Sequence, residues 1–145
     1  MLKIILNYDF LEALIFKNHE NHEKANKIVT AIRKDDYLYI PCHVLIAIMK
    51  KLGNYDYESN IRFLENINLT TRIDYVINKP IFSSANELFK SNDSFSFLDC
   101  ITIQYMNYKQ FKYIISFDEK FDEINSIKRL YKIDEYHPHS LNFFN

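Results

Sequence analysis

The sequence contains one glycine, no tryptophan and only two cysteines in 145 residues. Phosphate-binding loops of the Walker and dinucleotide types need several glycines, so the single glycine excludes both. Cys42 and Cys100 are far apart and show no paired spacing, so we expect two reduced thiols in a cytoplasmic protein. The formal net charge of −1 provides no overall positive field for nucleic acid, and any such contact must therefore be local.

A long apolar run is also missing from the start of the chain. MLKIILNYDF holds only a short apolar stretch before polar residues follow, so we expect a first strand and neither a signal peptide nor a membrane span. The length suits one domain with a substantial core, and neither repeats nor linkers divide it. We therefore predict a single domain over residues 1–145.

Short apolar runs alternate with helical patterns along the chain. The predicted strands are 2–6, 37–40, a short strand or extended segment within 69–77, 112–117 and 130–136, followed by a tail at 137–145. The predicted helices begin near Phe10, His22, Pro41, Tyr57, Pro80, Ser96 and Glu119. This alternation predicts a parallel sheet with helices on both faces and a functional crevice beyond the carboxyl ends of the strands.

Three aspartates stand where predicted helices begin. Asp99 follows the N-cap candidate Ser96 by three residues, which is the spacing of a capping box. Asp118 and Asp9 are placed to cap the helices that follow them. Taken one at a time, helix capping explains all three, and for Asp9 we prefer that interpretation. Asp99 and Asp118 also fall where carboxylates can meet at the edge of a sheet and hold a divalent metal.

The order of these segments resembles the PIN domain, a metal-dependent nuclease fold that includes the toxin ribonucleases of toxin–antitoxin pairs. NELFKSNDSFSFLDCITIQYM is similar to the segment that carries the family's third acid, here Asp99. YIISFDEKFDEI is similar to the segment that carries the fourth, here Asp118, with Phe121 as the packed aromatic residue. Together and in this order, the two motifs are fairly specific.

Two further motifs are placed by register. IILNYDFLEAL resembles the first motif, with Asn7 at the acid position and Asp9 at the helix cap. YIPCHVLIAIMKKL resembles the family's strand, proline and third helix, and alignment on Pro41 puts Ala47 where a glutamate is usual. Two of the four acid positions are therefore occupied by residues that are not acids.

The resemblance implies a three-layer α/β/α fold around a central parallel sheet, and Mg²⁺ or Mn²⁺ bound by Asp99 and Asp118 with Asn7 or Asp9. Asn7 offers a neutral oxygen and Ala47 offers none, so metal affinity should fall. We expect a PIN-fold protein with weakened or lost catalysis, kept for binding RNA or a protein. The alternative is an active Mg²⁺- or Mn²⁺-dependent endoribonuclease that uses Asp99 and Asp118.

Three other acids, Asp9, Glu12 and Asp122, lie near enough in sequence to replace a missing ligand, but we expect loss rather than replacement. The resemblance also implies partners: RNA, an antitoxin-like protein and a second copy of the chain in a homodimer. For RNA, a local basic patch is expected from Lys50, Lys51, Lys109 and Lys112.

Overall fold

A computed structural model describes residues 2–32, 36–53, 56–133 and 141–144. Its centre is a six-stranded sheet with the strand order β3-β2-β1-β4-β5-β6, in which only β6 is antiparallel to its neighbour. The strands are β1 Lys3–Leu6, β2 Tyr37–Pro41, β3 Arg72–Asp74, β4 Tyr113–Ile115, β5 Lys128–Ile133 and β6 Leu141–Phe144. The predicted parallel sheet is confirmed.

Helices cover both faces of this sheet. They are α1 Tyr8–Ile15, α2 His22–Ala31, α3 Cys42–Leu52, α4 Tyr57–Thr70, α5 Lys79–Ser91 and α6 Phe97–Lys109, with a 3-10 helix at Glu119–Glu123. One core lies between helices α1, α2, α3 and α4 and the sheet face that carries Ile4 and Leu6. A second core lies between α5 and α6 and the opposite face, which carries Ile5. This is the three-layer α/β/α arrangement that the sequence predicts.

The tail prediction was wrong for residues 141–144. They form β6, which pairs with β5 and extends the sheet by one antiparallel strand. LNFF is too short to show a strand period by itself, and it becomes a strand because the edge of β5 offers unpaired backbone groups. The predicted strand over 130–136 is found at Lys128–Ile133, and residues 134–140 lie outside the described ranges.

Register places the ends of β1 and β4 side by side. Leu6 is paired with Ile115, so Asn7 and Ser116 are the first residues beyond two neighbouring strands. The backbone N–H of Asn7 donates to the carbonyl oxygen of Ile115 over 3.2 Å, which continues the ladder by one residue. The side chains that follow β1 and β4 therefore meet at the carboxyl edge of the sheet.

None of the helices in the described ranges is long and apolar enough to cross a membrane.

Candidate active site at the carboxyl edge of the sheet

A buried hydrogen-bond network joins the end of β1 to the end of β4. The side-chain amide of Asn7 donates to Asp9 Oδ1 over 2.9 Å and to Ser116 Oγ over 3.3 Å. The Ser116 hydroxyl lies 3.0 and 2.9 Å from the two oxygens of Asp9 and donates to that carboxylate. The backbone N–H of Phe117 donates to Asp9 Oδ2 over 2.8 Å. Asp9 is therefore the acceptor at the centre of the network.

The expected role of Asp9 as the cap of the first helix is wrong. Helix α1 begins at Tyr8, so its N-cap is Asn7, which makes no side-chain cap bond. Asp9 instead lies within the first turn and also accepts the N–H of Phe10 over 2.8 Å. Burial raises the pKa of Asp9, while its bonds from Phe117, Ser116 and Asn7 act in the opposite direction.

Asp99 lies in the first turn of α6, as predicted. Ser96 is the N-cap, and its hydroxyl accepts the N–H of Asp99 over 3.1 Å. Burial raises the pKa of Asp99 to about 6, and the charges of Asp9 and Asp118 add to this effect. The three carboxylates therefore share one electrostatic environment. A proton competes with any cation at Asp99 below about pH 6, and we expect metal binding to weaken there.

Asp118 caps the 3-10 helix, which confirms the capping role expected for it. Its Oδ1 accepts the N–H of Lys120 over 3.0 Å. Its own N–H donates to Ser116 Oγ over 3.1 Å. The hydroxyl of Ser116 thus links Asp9 to the backbone that carries Asp118, and it fixes where this segment leaves β4.

Helix α3 carries Ala47 at the position that aligns with the family's glutamate. One turn earlier, His43 Nε2 lies 2.7 Å from the hydroxyl of Thr102 on α6. Burial lowers the pKa of His43 to about 4, so its ring is neutral at pH 7. The side chain of Ala47 is a methyl group, so it offers no oxygen to a metal ion.

The three acids that could replace this glutamate are all engaged elsewhere. Asp9 holds the network described above. Glu12 pairs with Lys51 and lies 3.4 Å from His19, and although burial alone would raise its pKa, Lys51 lowers it. Asp122 accepts two bonds of 2.9 Å from the buried guanidinium of Arg129. Each of these three side chains would therefore have to give up its contacts to replace the glutamate.

In the described ranges, no three His, Cys, Asp or Glu side chains are grouped closely enough to hold a metal ion. One atom nevertheless suits a cation. Asn7 Oδ1 is buried and has no hydrogen-bond partner among the described residues. The contacts of its amide nitrogen with Asp9 and Ser116 determine the orientation of the side chain, since a flip would put the oxygen against the carboxylate. Asn7 Oδ1 with Asp99 and Asp118 is a hard-oxygen set of the kind that Mg²⁺ or Mn²⁺ takes, with a low total charge.

Two residues of this site were not singled out from the sequence. Ser116 stands two positions before Asp118, directly after an apolar strand, and that spacing is a usable signal. Arg129 gave no signal, because an arginine in a strand is usually exposed. It is 3% exposed, and its guanidinium also donates to the carbonyl oxygen of Ser116 over 3.2 Å.

These features define an α/β/α domain with acids at the carboxyl edge of its sheet. Comparison with known families identifies the family to which this domain belongs. The sequence matches the PIN domain over residues 10–127, and the chain belongs to that family. No curated protein sequence matches it.

Solved structures of similar fold include VapC20 from Mycobacterium tuberculosis, described as a toxin that cleaves the sarcin-ricin loop. The two are 20% identical, the match covers 84% of this chain and 95% of that one, and the TM-score is 0.70. VapBC-1 from nontypeable Haemophilus influenzae matches at 16% identity over 88% and 96% of the two chains, with a TM-score of 0.67. VapBC2 from Rickettsia felis, bound to a DNA fragment from its promoter, matches at 15% identity over 88% and 97%, with a TM-score of 0.66. At these identities the likeness shows the fold.

Proposed function

We propose that this chain is a toxin-type PIN-domain protein in which metal-dependent RNA cleavage is weakened or lost. One observation carries the proposal: Asp9, whose carboxylate lies beside Asn7, is held by Asn7, Ser116 and the N–H of Phe117. Two carboxylates, Asp99 and Asp118, and one amide oxygen then remain to hold a cation. The likeness to VapC20, a toxin described as cleaving the sarcin-ricin loop, supports the choice of RNA as ligand.

A bound Mg²⁺ or Mn²⁺ would orient and activate a water and neutralise charge on the attacked phosphate. The protein's own residues set how well the cation is held. Ser96 anchors the first turn that carries Asp99, and Ser116 anchors the segment that carries Asp118. Asn7 contributes an oxygen that cannot accept a proton at neutral pH, so it cannot serve as a general base. The loss of charge at two positions, rather than a loss of shape, limits the site.

Calorimetric titration of Mn²⁺ into the protein at pH 7.5, beside RNA cleavage with the same metal, tests this proposal. We expect binding no tighter than about millimolar, in the range of sites with few charged ligands, and no cleavage above the background of the Asp118→Ala variant. The control variant is Asp99→Ala, which removes one of the two remaining acids. Micromolar binding that disappears in Asp99→Ala, with cleavage that disappears in Asp118→Ala, would contradict the proposal and favour the active endoribonuclease.

We also propose a protein partner of the antitoxin type, because several solved structures of similar fold are toxin–antitoxin complexes. The candidate surface is an apolar groove of about 270 Å³ between α1, α2 and α4. Leu14, Val29 and Phe63 are among the side chains that line it. Because polar groups are few along this groove, its occupant would be an apolar segment of the partner rather than a charged one. The homodimer expected from the resemblance stays a prediction.

Co-expression of this chain with a candidate antitoxin, encoded next to its own gene, tests the groove. Val29 is 41% exposed and lines the groove, so Val29→Glu should fold and should lose co-purification of that partner by tenfold or more, about 1.4 kcal/mol. Thr30→Glu is the matched control, since Thr30 is exposed on the same helix outside the groove. Equal recovery of the partner with Val29→Glu and with Thr30→Glu would remove the groove from the proposal.

A further inference from the structure

The amino-terminal edge of the sheet, opposite the acidic site, carries cations and aromatic rings. Lys3 opens β1, Arg72 opens β3 and Lys112 precedes β4, and all three side chains are exposed. The accompanying rings are partly exposed, and they belong to Tyr37, Tyr39 and Phe111. We call these six residues the basic rim.

Strand register places four members of the basic rim on one face of the sheet. Lys3 is paired with Tyr37, and Tyr39 with Arg72, so these four side chains point to the same side of the parallel sheet. Tyr39 and Phe111 both pack against the core under α5 and α6, which identifies that side. From β3 to β4 the rim crosses three strand spacings, or about 14 Å.

Direct contacts link five of the six rim residues. The guanidinium of Arg72 lies 3.9 Å from the ring centre of Tyr37 and 6.0 Å from that of Tyr39. The rings of Tyr39 and Phe111 are 5.0 Å apart. The ammonium group of Lys3 lies 6.0 Å from the ring centre of Phe111. These contacts therefore run from Arg72 through the three rings to Lys3. Lys112 lies beside them along the edge and contacts the ring of Tyr113, at 5.8 Å.

The described residues around the rim do not neutralise its charge. In the part of the chain that the structure describes, Lys3, Arg72 and Lys112 form cation–π contacts and no ion pair. Of the described acids, Asp36 accepts the N–H of Leu2 over 3.0 Å, and Asp74, two residues after Arg72, pairs with Lys109 over 3.3 Å. The basic patch expected from the sequence shares only Lys112 with the basic rim. Two of its other lysines form ion pairs, Lys51 with Glu12 and Lys109 with Asp74.

We propose that the basic rim binds a single-stranded stretch of RNA. Exposed cations attract phosphates, and neighbouring rings offer faces for bases, which is the combination that single-stranded nucleic acid requires. The rim lies at the edge opposite Asp99 and Asp118, so it would hold RNA without using the acidic site. The choice of RNA over DNA rests on the proposed function, whereas single-strand binding rests on the rim itself.

Fluorescence anisotropy with a labelled 12-nucleotide oligo(U) RNA, in EDTA and about 50 mM salt, tests the proposal. The rim variant is Lys3→Gln/Arg72→Gln/Lys112→Gln, and the matched control is Lys24→Gln/Lys27→Gln/Lys50→Gln, which removes the same charge from exposed helix positions. We expect the rim variant to bind at least tenfold more weakly than the control. We also expect the plot of log K against log salt to become less steep by about 2, because the variant no longer neutralises three phosphates of a single strand. Tyr37→Leu should weaken binding about fivefold or more while leaving the salt slope unchanged.

Equal weakening in the rim and control variants would overturn the proposal, since it would show a diffuse charge effect. Binding of a polyglutamate peptide as tight as that of RNA, with no effect of Tyr37→Leu, would also overturn it and indicate an acidic protein ligand. Because EDTA removes metal, these outcomes do not depend on the acidic site. Metal titration tests the acidic site separately. Circular dichroism melts confirm that each variant is folded.

Discussion

Restoring the acids is expected to convert the weak site into a metal-dependent ribonuclease. The change is Asn7→Asp with Asp9→Ser and Ala47→Glu, which gives the edge four carboxylates at the family's positions. Asp9→Ser is included because a carboxylate at position 7 would otherwise face Asp9, whose oxygen lies 2.9 Å from the Asn7 amide. We expect Mn²⁺ to bind about 100-fold more tightly or better, since ligand charge sets the affinity of such sites. We also expect Mn²⁺-dependent RNA cleavage to appear.

The matched control is Asn7→Asp/Asp9→Ser without Ala47→Glu. It keeps three acids at the family's positions, so it should bind Mn²⁺ with intermediate affinity and cleave little, because residues that act as a catalytic unit fail together. Calorimetry and gel-based RNA cleavage measure the two effects. Because Asp9→Ser also removes the acceptor of the Ser116 and Phe117 bonds, circular dichroism must first show that both variants are folded. If the folded, fully restored variant binds Mn²⁺ no better than the wild type, the missing charges are not what limits this site.

Asp9→Ala is expected to destabilise the fold more than removal of any other acid at this edge. It leaves the hydroxyl of Ser116 and the N–H groups of Phe117 and Phe10 without their acceptor, while the amide of Asn7 keeps its 3.3 Å bond to Ser116 Oγ. Each unsatisfied buried donor costs about 1–3 kcal/mol, so we expect a loss of about 3–5 kcal/mol in the free energy of unfolding. For a domain of this size, that loss corresponds to a drop of about 10 °C in Tm.

Asp118→Ala is the control for this change. It removes only the cap of a 3-10 helix, at a cost of about 1 kcal/mol, and leaves the bonds of Ser116 to Asp9 intact. Urea unfolding followed by circular dichroism gives both free energies. Similar losses for the two variants would mean that Asp9 does not hold β1 against β4, and its carboxylate would then be free to turn toward a metal.

The local sequence pattern was sufficient to predict most of the strands and helices. Short apolar runs such as Leu2 to Leu6 become strands because they are too short for a buried helix and are bounded by polar residues. Ser96 and Asp118 cap their helices because capping involves backbone groups within three residues. The strand at 141–144 was missed, because its pairing with β5 is a contact between distant residues that leaves no period in four letters.

The sequence by itself determined which residues, Asn7 and Ala47, stand at the two positions that register against the PIN motifs assigns to acids. Only the tertiary structure showed which groups hold the acids nearby. Asp9 is bonded to Ser116, more than one hundred residues away, and Glu12 is bonded to Lys51 across two helices. Hydrogen bonds and ion pairs of this kind depend on which elements the sheet brings together, and sequence spacing does not encode them. The same reason applies to the basic rim, whose cations lie on β1, on β3 and just before β4, and these segments come together only in the folded sheet.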